Sequence, residues 1–192
     1  MATRGEAAKA TDRRVETALI TLLTAKPYGA ITIADIAREA DVSVRTVQRH
    51  YRTKDDLLAA CNRVWVQMCS DEWARRPMPQ SVEEGIGQLA QVMFISFYDR
   101  HGAELWAAYS RPVEVPELRR IVDAGIAECA SHSDDVMRRW PEAWAVDKEL
   151  ARRTMLALTS FLTWRAFTEY SGFSTPEATK TVTDLLCRSL LL

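Results

Sequence analysis

The chain has few cysteines and fewer histidines: Cys61, Cys69, Cys129 and Cys187, and His50, His101 and His132, in 192 residues. They form no Cys-x-x-Cys pair and no histidine cluster, which excludes the common zinc modules. Cys61 and Cys69 fall on one expected helix and would stand roughly 12 Å apart along it, too far to bridge. Four reduced thiols, buried in a cytosolic protein, are therefore expected, with a redox-sensing thiol as the alternative. Gly-x-Ser-x-Gly, His-x-x-x-His and a Gly-rich phosphate loop are all missing, so no catalytic residue, cofactor or metal is expected, and no enzymatic activity. The longest uncharged run, Gly85–Tyr98, falls short of the roughly 20 residues that span a bilayer. The N-terminal MATRGEAAKATDRR has no apolar stretch of the kind a signal peptide needs, which points to a cytoplasmic protein without a membrane partner. No strand alternation, internal repeat or low-complexity tract is visible. An all-α chain remains, and its apolar content of 47% suffices for a core.

What is present is organised around Ile33–Tyr51, IADIAREADVSVRTVQRHY. Thr32 suits an N-cap, with Asp35 three residues on. Ile33, Ile36, Ala37 and Ala40 give one apolar face. Asp41-Val42 breaks the pattern and Ser43 offers a second N-cap. Val44, Val47 and Tyr51 then form an inner face, while Arg45, Thr46, Arg49 and His50 lie outside with Gln48 at the edge. Two short helices joined by so tight a turn, the second rich in donors, read as a helix-turn-helix, whose second helix enters the DNA major groove. Charge agrees. Residues 1–60 hold ten Lys/Arg and eight Asp/Glu, a net of +2, within a chain of net charge −1. The basic surplus thus sits with this unit, as an electrostatic footprint on DNA requires.

AREADVSVRTVQRHYRTKDDLL also resembles the N-terminal signature of the tetracycline-repressor (TetR) family of bacterial regulators, in a match running from about Arg13 to Leu58. The resemblance implies an N-terminal three-helix DNA-binding domain followed by a larger helical domain that binds an effector and dimerises. It also implies base contacts from Val44, Arg45 and Gln48, and backbone contacts from Thr32, Ser43, Thr46, Arg49, His50 and Lys54. Arg45 suits a guanine edge and Gln48 an adenine edge; for Arg45 a phosphate is the alternative, and for Val44 a place in the core. Lys54 opposes its helix dipole, which makes sense if it serves phosphate. Three positions depart from the family pattern. Asp41 stands where the turn has Gly, and so predicts a left-handed residue. Arg45 stands where Gly is common and Gln48 where Tyr is.

The expected divisions are a flexible basic arm at 1–10, a helix-turn-helix domain at 11–56 and a C-terminal domain at 57–192. Thr11 or Asp12 opens the first of nine helices. Thr53 caps a fourth that runs to about Arg75 and belongs to both halves, and Pro77 and Pro79 mark a boundary loop. Ser81 with Glu84 forms a capping box, Arg100-His101-Gly102 stops the fifth helix, and Pro112 and Pro116 frame a loop. Asp147 caps an eighth helix reaching Tyr170, and Ser174 opens the last.

Aromatics from several of these helices suit a concave apolar site. The candidate effector-binding residues are Met68, Met93, Phe94, Phe97, Trp106, Tyr109, Ile126, His132 and Trp164, with His132, Tyr109, Glu104 and Arg165 as polar handles. His132 is a satisfied core histidine or a pocket hydrogen-bonding group. Met155, Leu162, Val182, Leu185, Leu186 and Ser189 are the candidate dimer interface, because helices with more apolar surface than one face can bury call for a partner. The function so read is a dimeric repressor, released from a palindromic or pseudo-palindromic operator by a small apolar or aromatic effector. The alternative is a small-molecule-binding or enzymatic bundle whose N-terminal unit no longer binds DNA.

Overall fold

The protein is described from a computed structural model covering residues 4–110 and 116–192, with Arg4 and Glu117 known only by their backbone. Pro112 and the first three residues of the expected arm lie outside that range. The described residues are all-α, with ten α-helical segments and no strand beyond one isolated bridge between Trp144 and Leu191. No helix among them is long and apolar enough to cross a membrane.

The chain forms two compact units. The first comprises Met1–Trp65 and Ala103–Val122. Its α1 spans Arg4–Ala25 and begins earlier than Thr11. Residues 6–10 are good helix formers, Glu6 sits in the positive first turn, and Thr11 is already inside, its hydroxyl donating to the Ala7 carbonyl. Residues 4–10 are thus helix, not a flexible arm. After a short 3₁₀ turn at Tyr28–Ala30 come α2 (Ile33–Glu39), α3 (Val44–His50) and the start of α4 (Lys54–Ala74). Val15 and Leu19 of α1 bury against Ile36, Val47, Leu57 and Leu58. The same core takes in Ala108 of α6 (Asp99–Tyr109) and Leu118, Ile121 and Val122 of α7 (Pro116–Arg139). The expected 56/57 boundary does not coincide with these units, since Leu57, Leu58 and Cys61 belong to the first core.

The second unit comprises Val66–Gly102 and Asp123–Leu192. It contains α5 (Val82–Gln91), α8 (Lys148–Leu158), α9 (Phe161–Arg165) and α10 (Thr175–Leu190), with the remainders of α4 and α7. α10 packs on α5 and α8, burying Ala178, Val182 and Leu186. Ser174 and Glu177 make a complete capping box. At Ser81 only half the box forms: its hydroxyl accepts from the Glu84 amide, while the Glu84 carboxylate turns to the Gln80 amide at 2.7 Å.

Two long helices expected from periodicity are interrupted. α5 continues through a wide π-helical turn at Val92–Tyr98, and the expected stop at Arg100-His101-Gly102 is a kink at His101 (φ −126°, ψ 19°) inside α6. The eighth helix ends at Leu158. There the Thr159 hydroxyl donates back to the Met155 carbonyl, and Ser160 caps α9, two short polar side chains that compete for the backbone in place of a further turn.

Candidate nucleic-acid interface and effector region

α2 and α3 are each fastened at their first turn. The Thr32 hydroxyl accepts from the Asp35 amide at 3.1 Å, and Asp35 accepts from the Thr32 amide at 3.0 Å. Lys26, then Thr32, hold the Asp35 carboxyl well below the usual carboxylate range. Asp41 takes φ 52°, the left-handed conformation expected of a residue standing in place of glycine. Ser43 accepts from the Thr46 amide at 3.0 Å and so starts α3.

Val47 is α3's fully buried anchor, while Ser43, Val44, Arg45, Gln48 and Arg49 are exposed and Thr46 is half-buried. Val44, expected on the inner face, is 40% exposed. Its place at the helix start turns it outward beside Arg45. Thr32 is exposed at the α2 start.

Two expected backbone contacts are spent inside the unit. His50 Nδ1 meets Asp12 Oδ1 at 2.6 Å and is half-buried, so it ties the end of α3 to α1 instead of facing outward. Next to it, the Tyr51 hydroxyl donates to Glu16 at 2.9 Å, and burial followed by Glu16 pushes the phenol upward. Lys54 donates to the Tyr28 carbonyl at 2.6 Å and the Ile31 carbonyl at 2.8 Å, with the Tyr28 ring 4.0 Å from its ammonium. These carbonyls give a cation at this helix start an intramolecular role beside the expected phosphate contact. Asp12 and Glu16 were missed as braces. Their spacing of four residues puts them on one face of α1, but only tertiary structure shows what that face meets.

The expected effector residues are divided between the two units. Trp106 and Tyr109 belong to the first unit, where Tyr109 packs on the core and Trp106 is 38% exposed. In the second unit Met93, Phe94 and Trp164 are buried, and Tyr98 links Phe94, Phe97, Phe161 and Trp164 through ring contacts near 6 Å. Ile126 and Met68 are exposed. Met68 and Phe97 do share a small cavity of about 240 Å³ with Glu72, Arg75, Ser96 and Arg100. His132 is a buried core histidine stacked on Trp73 (4.7 Å), its Nε2 3.6 Å from Glu128 and 3.8 Å from Cys69. Burial pulls it below its usual range against the pull of Glu128 and Asp135. Burial likewise pushes Cys61 and Cys69 up to about 12, which leaves both as inert thiols.

The candidate dimer residues divide cleanly. Met155, Val182 and Leu186 are fully buried in their own unit's core and have no surface to offer a partner. Leu162 and Leu185 are 53% and 43% exposed, and Ser189 is exposed.

Residues 17–61 match the sequence model of the tetR family of bacterial regulatory proteins. No curated protein sequence matches the chain. Solved structures do. A bacterial regulatory protein in the tetR family from Rhodococcus RHA1 shares 18% identity over 93% of this chain and 95% of its own, with a TM-score of 0.73. FadR from Bacillus subtilis, solved with stearoyl-CoA, shares 11% identity over 91% and 96%, with a TM-score of 0.66. SmeT, solved with triclosan, shares 16% over 95% and 92%, with a TM-score of 0.73. At such identities the likeness is one of fold. The sequence match adds that residues 17–61, the stretch that carries the helices of the exposed α3 face, are similar to the tetR family of bacterial regulatory proteins.

Proposed function

We propose that this protein is a repressor that binds operator DNA as a cytoplasmic homodimer and leaves it when a small molecule with an apolar or aromatic body binds its C-terminal part. The observation that carries this reading is the outward face of α3, where Val44, Arg45 and Gln48 stand together, backed by buried Val47. In this reading Arg45 forks onto a guanine edge, Gln48 onto adenine, and Val44 meets a thymine methyl. Thr32, Ser43, Thr46 and Arg49 take backbone phosphates. His50 and Lys54 hold the unit together and are withdrawn from the contact set. No catalytic step belongs to the reading.

The dimer forms through exposed apolar side chains of the second unit, Leu162 and Leu185 with Ser189, joined by Leu150 at 49% exposure. A two-fold axis would set the recognition helices on half-sites roughly 34 Å apart. The effector reading draws support from FadR and SmeT, each solved with a small molecule. α4 contributes residues to both compact units and is the proposed carrier of the signal. Coupling must be reciprocal: an effector that weakens DNA binding tenfold, about 1.4 kcal/mol, is itself bound tenfold less tightly by the DNA complex.

The test is selection of bound sequences from a random DNA pool, followed by affinity measurement on single-base variants. Arg45→Ala is expected to relax preference at one base pair per half-site, by about 1–3 kcal/mol. A uniform loss of affinity with preference intact would assign Arg45 to phosphate. Failure to select any sequence would remove the operator reading.

A further inference from the structure

One cavity lies entirely within the second unit and is lined by none of the expected effector residues. It measures about 460 Å³, within the range of small-molecule sites. Its walls come from the end of α4, the loop that follows, α5 and the end of α7. Trp73, Met78 and Trp140 are among its apolar lining residues. Pro77 and Pro79 shape the loop side, and Trp140 rests on Gly85, where a Cβ would stand 3.0 Å from the indole.

The polar lining has a definite charge balance. Arg138 pairs with Asp135 at 3.0 Å, and Arg76 with Glu72 at 3.1 Å. Asp135 also accepts from the Trp73 indole at 3.2 Å, so its charge is fully engaged. Arg139 has no carboxylate partner among the described residues; its guanidinium lies 5.8 Å from the Trp140 ring centre. One cation is therefore surplus, and it stands beside an aromatic wall. Gln88 is 7% exposed and lines the same cavity. Its amide nitrogen is held by the Pro77 carbonyl at 3.0 Å, which leaves its carbonyl oxygen as an acceptor.

We propose that this cavity binds a monoanionic amphipathic small molecule. A carboxylate or sulfonate meets Arg139, an aromatic or hydrocarbon body lies against Trp73, Met78 and Trp140, and a donor on that body meets Gln88. A guanidinium suits such an acid because its planar fork matches two oxygens at once. A cationic ligand is disfavoured, because three guanidiniums line the cavity and the single carboxylate is already bonded twice. Regulation through this site rests on the function proposed above; occupancy of the site does not.

The experiment uses two fluorescent probes with the same aromatic body. 1-Anilinonaphthalene-8-sulfonate carries one sulfonate, and N-phenyl-1-naphthylamine carries none. Both are titrated into the full chain and its Arg139→Ala and Arg139→Lys variants, without DNA. The parent is expected to bind one sulfonate probe per chain. Arg139→Ala should weaken the sulfonate probe about tenfold and the neutral probe less than twofold, with Arg139→Lys between, for a charge-assisted contact. Arg139 is exposed, so folding of the variants is not at stake. Equal loss for both probes, or no change for either, would overturn the proposal. DNA binding is measured separately, so a failed site and a failed operator reading remain distinct outcomes.

Discussion

Replacing Lys54 separates two roles for one cation. In the structure its ammonium bonds two backbone carbonyls, of Tyr28 and Ile31, and faces the Tyr28 ring. Those carbonyls belong to the turn that connects α1 to α2. Hydrogen bonds from a charged group each contribute about 1.5–3 kcal/mol when buried. Lys54 is half-buried, so solvent takes over part of the loss, and Lys54→Ala is expected to cost about 2–3 kcal/mol in total. For a chain of this size that is a fall of roughly 4–12 °C in the unfolding midpoint. Circular dichroism on heating reads the midpoint. The salt dependence of DNA affinity reads the other role, since each lost phosphate contact flattens the slope of log affinity against log salt by about 0.9. The structure predicts a lower midpoint and an unchanged slope. An unchanged midpoint with a slope flattened by about one contact would refute the bracing role and return Lys54 to the DNA.

Leu185→Glu should give a monomer with an unchanged helical spectrum, whereas Leu186→Glu, which buries a charge in a sealed core, should unfold the second unit; a Leu185→Glu variant still dimeric at micromolar concentration would refute the interface. Gly102→Ala places a Cβ 2.9 Å from the Trp164 ring, which Phe161 and a hydrogen bond to Thr175 hold in position, and should cost about 1–3 kcal/mol in urea denaturation. His132 titrates below its ordinary 6.5 in the folded chain, so the unfolded chain binds that proton more readily and stability falls as pH drops below about 6.5. His132→Asn should flatten the fall of the unfolding midpoint between pH 7 and pH 5, and parallel curves for parent and variant would exclude this histidine as the cause.

The sequence was most legible where structure is local. Thr32, Ser43 and Ser174 act on amides three residues away, and Asp41 on its own backbone, so caps and turn could be read without knowing the fold. Periodicity also located the apolar faces of α8 and α10. It did not say which face would meet the unit's own core, because Leu185 and Leu186 are equally apolar and only packing distinguishes them. For His50 and Lys54 the sequence did not show the bracing role, for a related reason. Their donors suit phosphate as well as they suit Asp12 and two carbonyls, and the competing acceptors lie 23 to 38 residues away in sequence. The candidate effector site was least legible. Aromatic residues mark burial, but a cavity is defined by what fails to fill it, and the prolines read as a boundary loop turned out to shape one.

The end of α3 is pinned twice to α1, through His50 to Asp12 and Tyr51 to Glu16. The side chains that pin it are separate from those that face outward. Residues 47, 50 and 51 fix the helix in place, while 44, 45 and 48 are free to change without loosening it. Such a helix is a rigid cartridge: its ordering is completed during folding, so DNA binding need not supply that entropy, and it cannot tilt to accommodate a mismatched base. Changes at two or three exposed positions could then redirect the protein to a new operator while its stability stays level. For the proposed regulator, that decoupling leaves target choice open to drift even as the fold that presents it is held by its own packing.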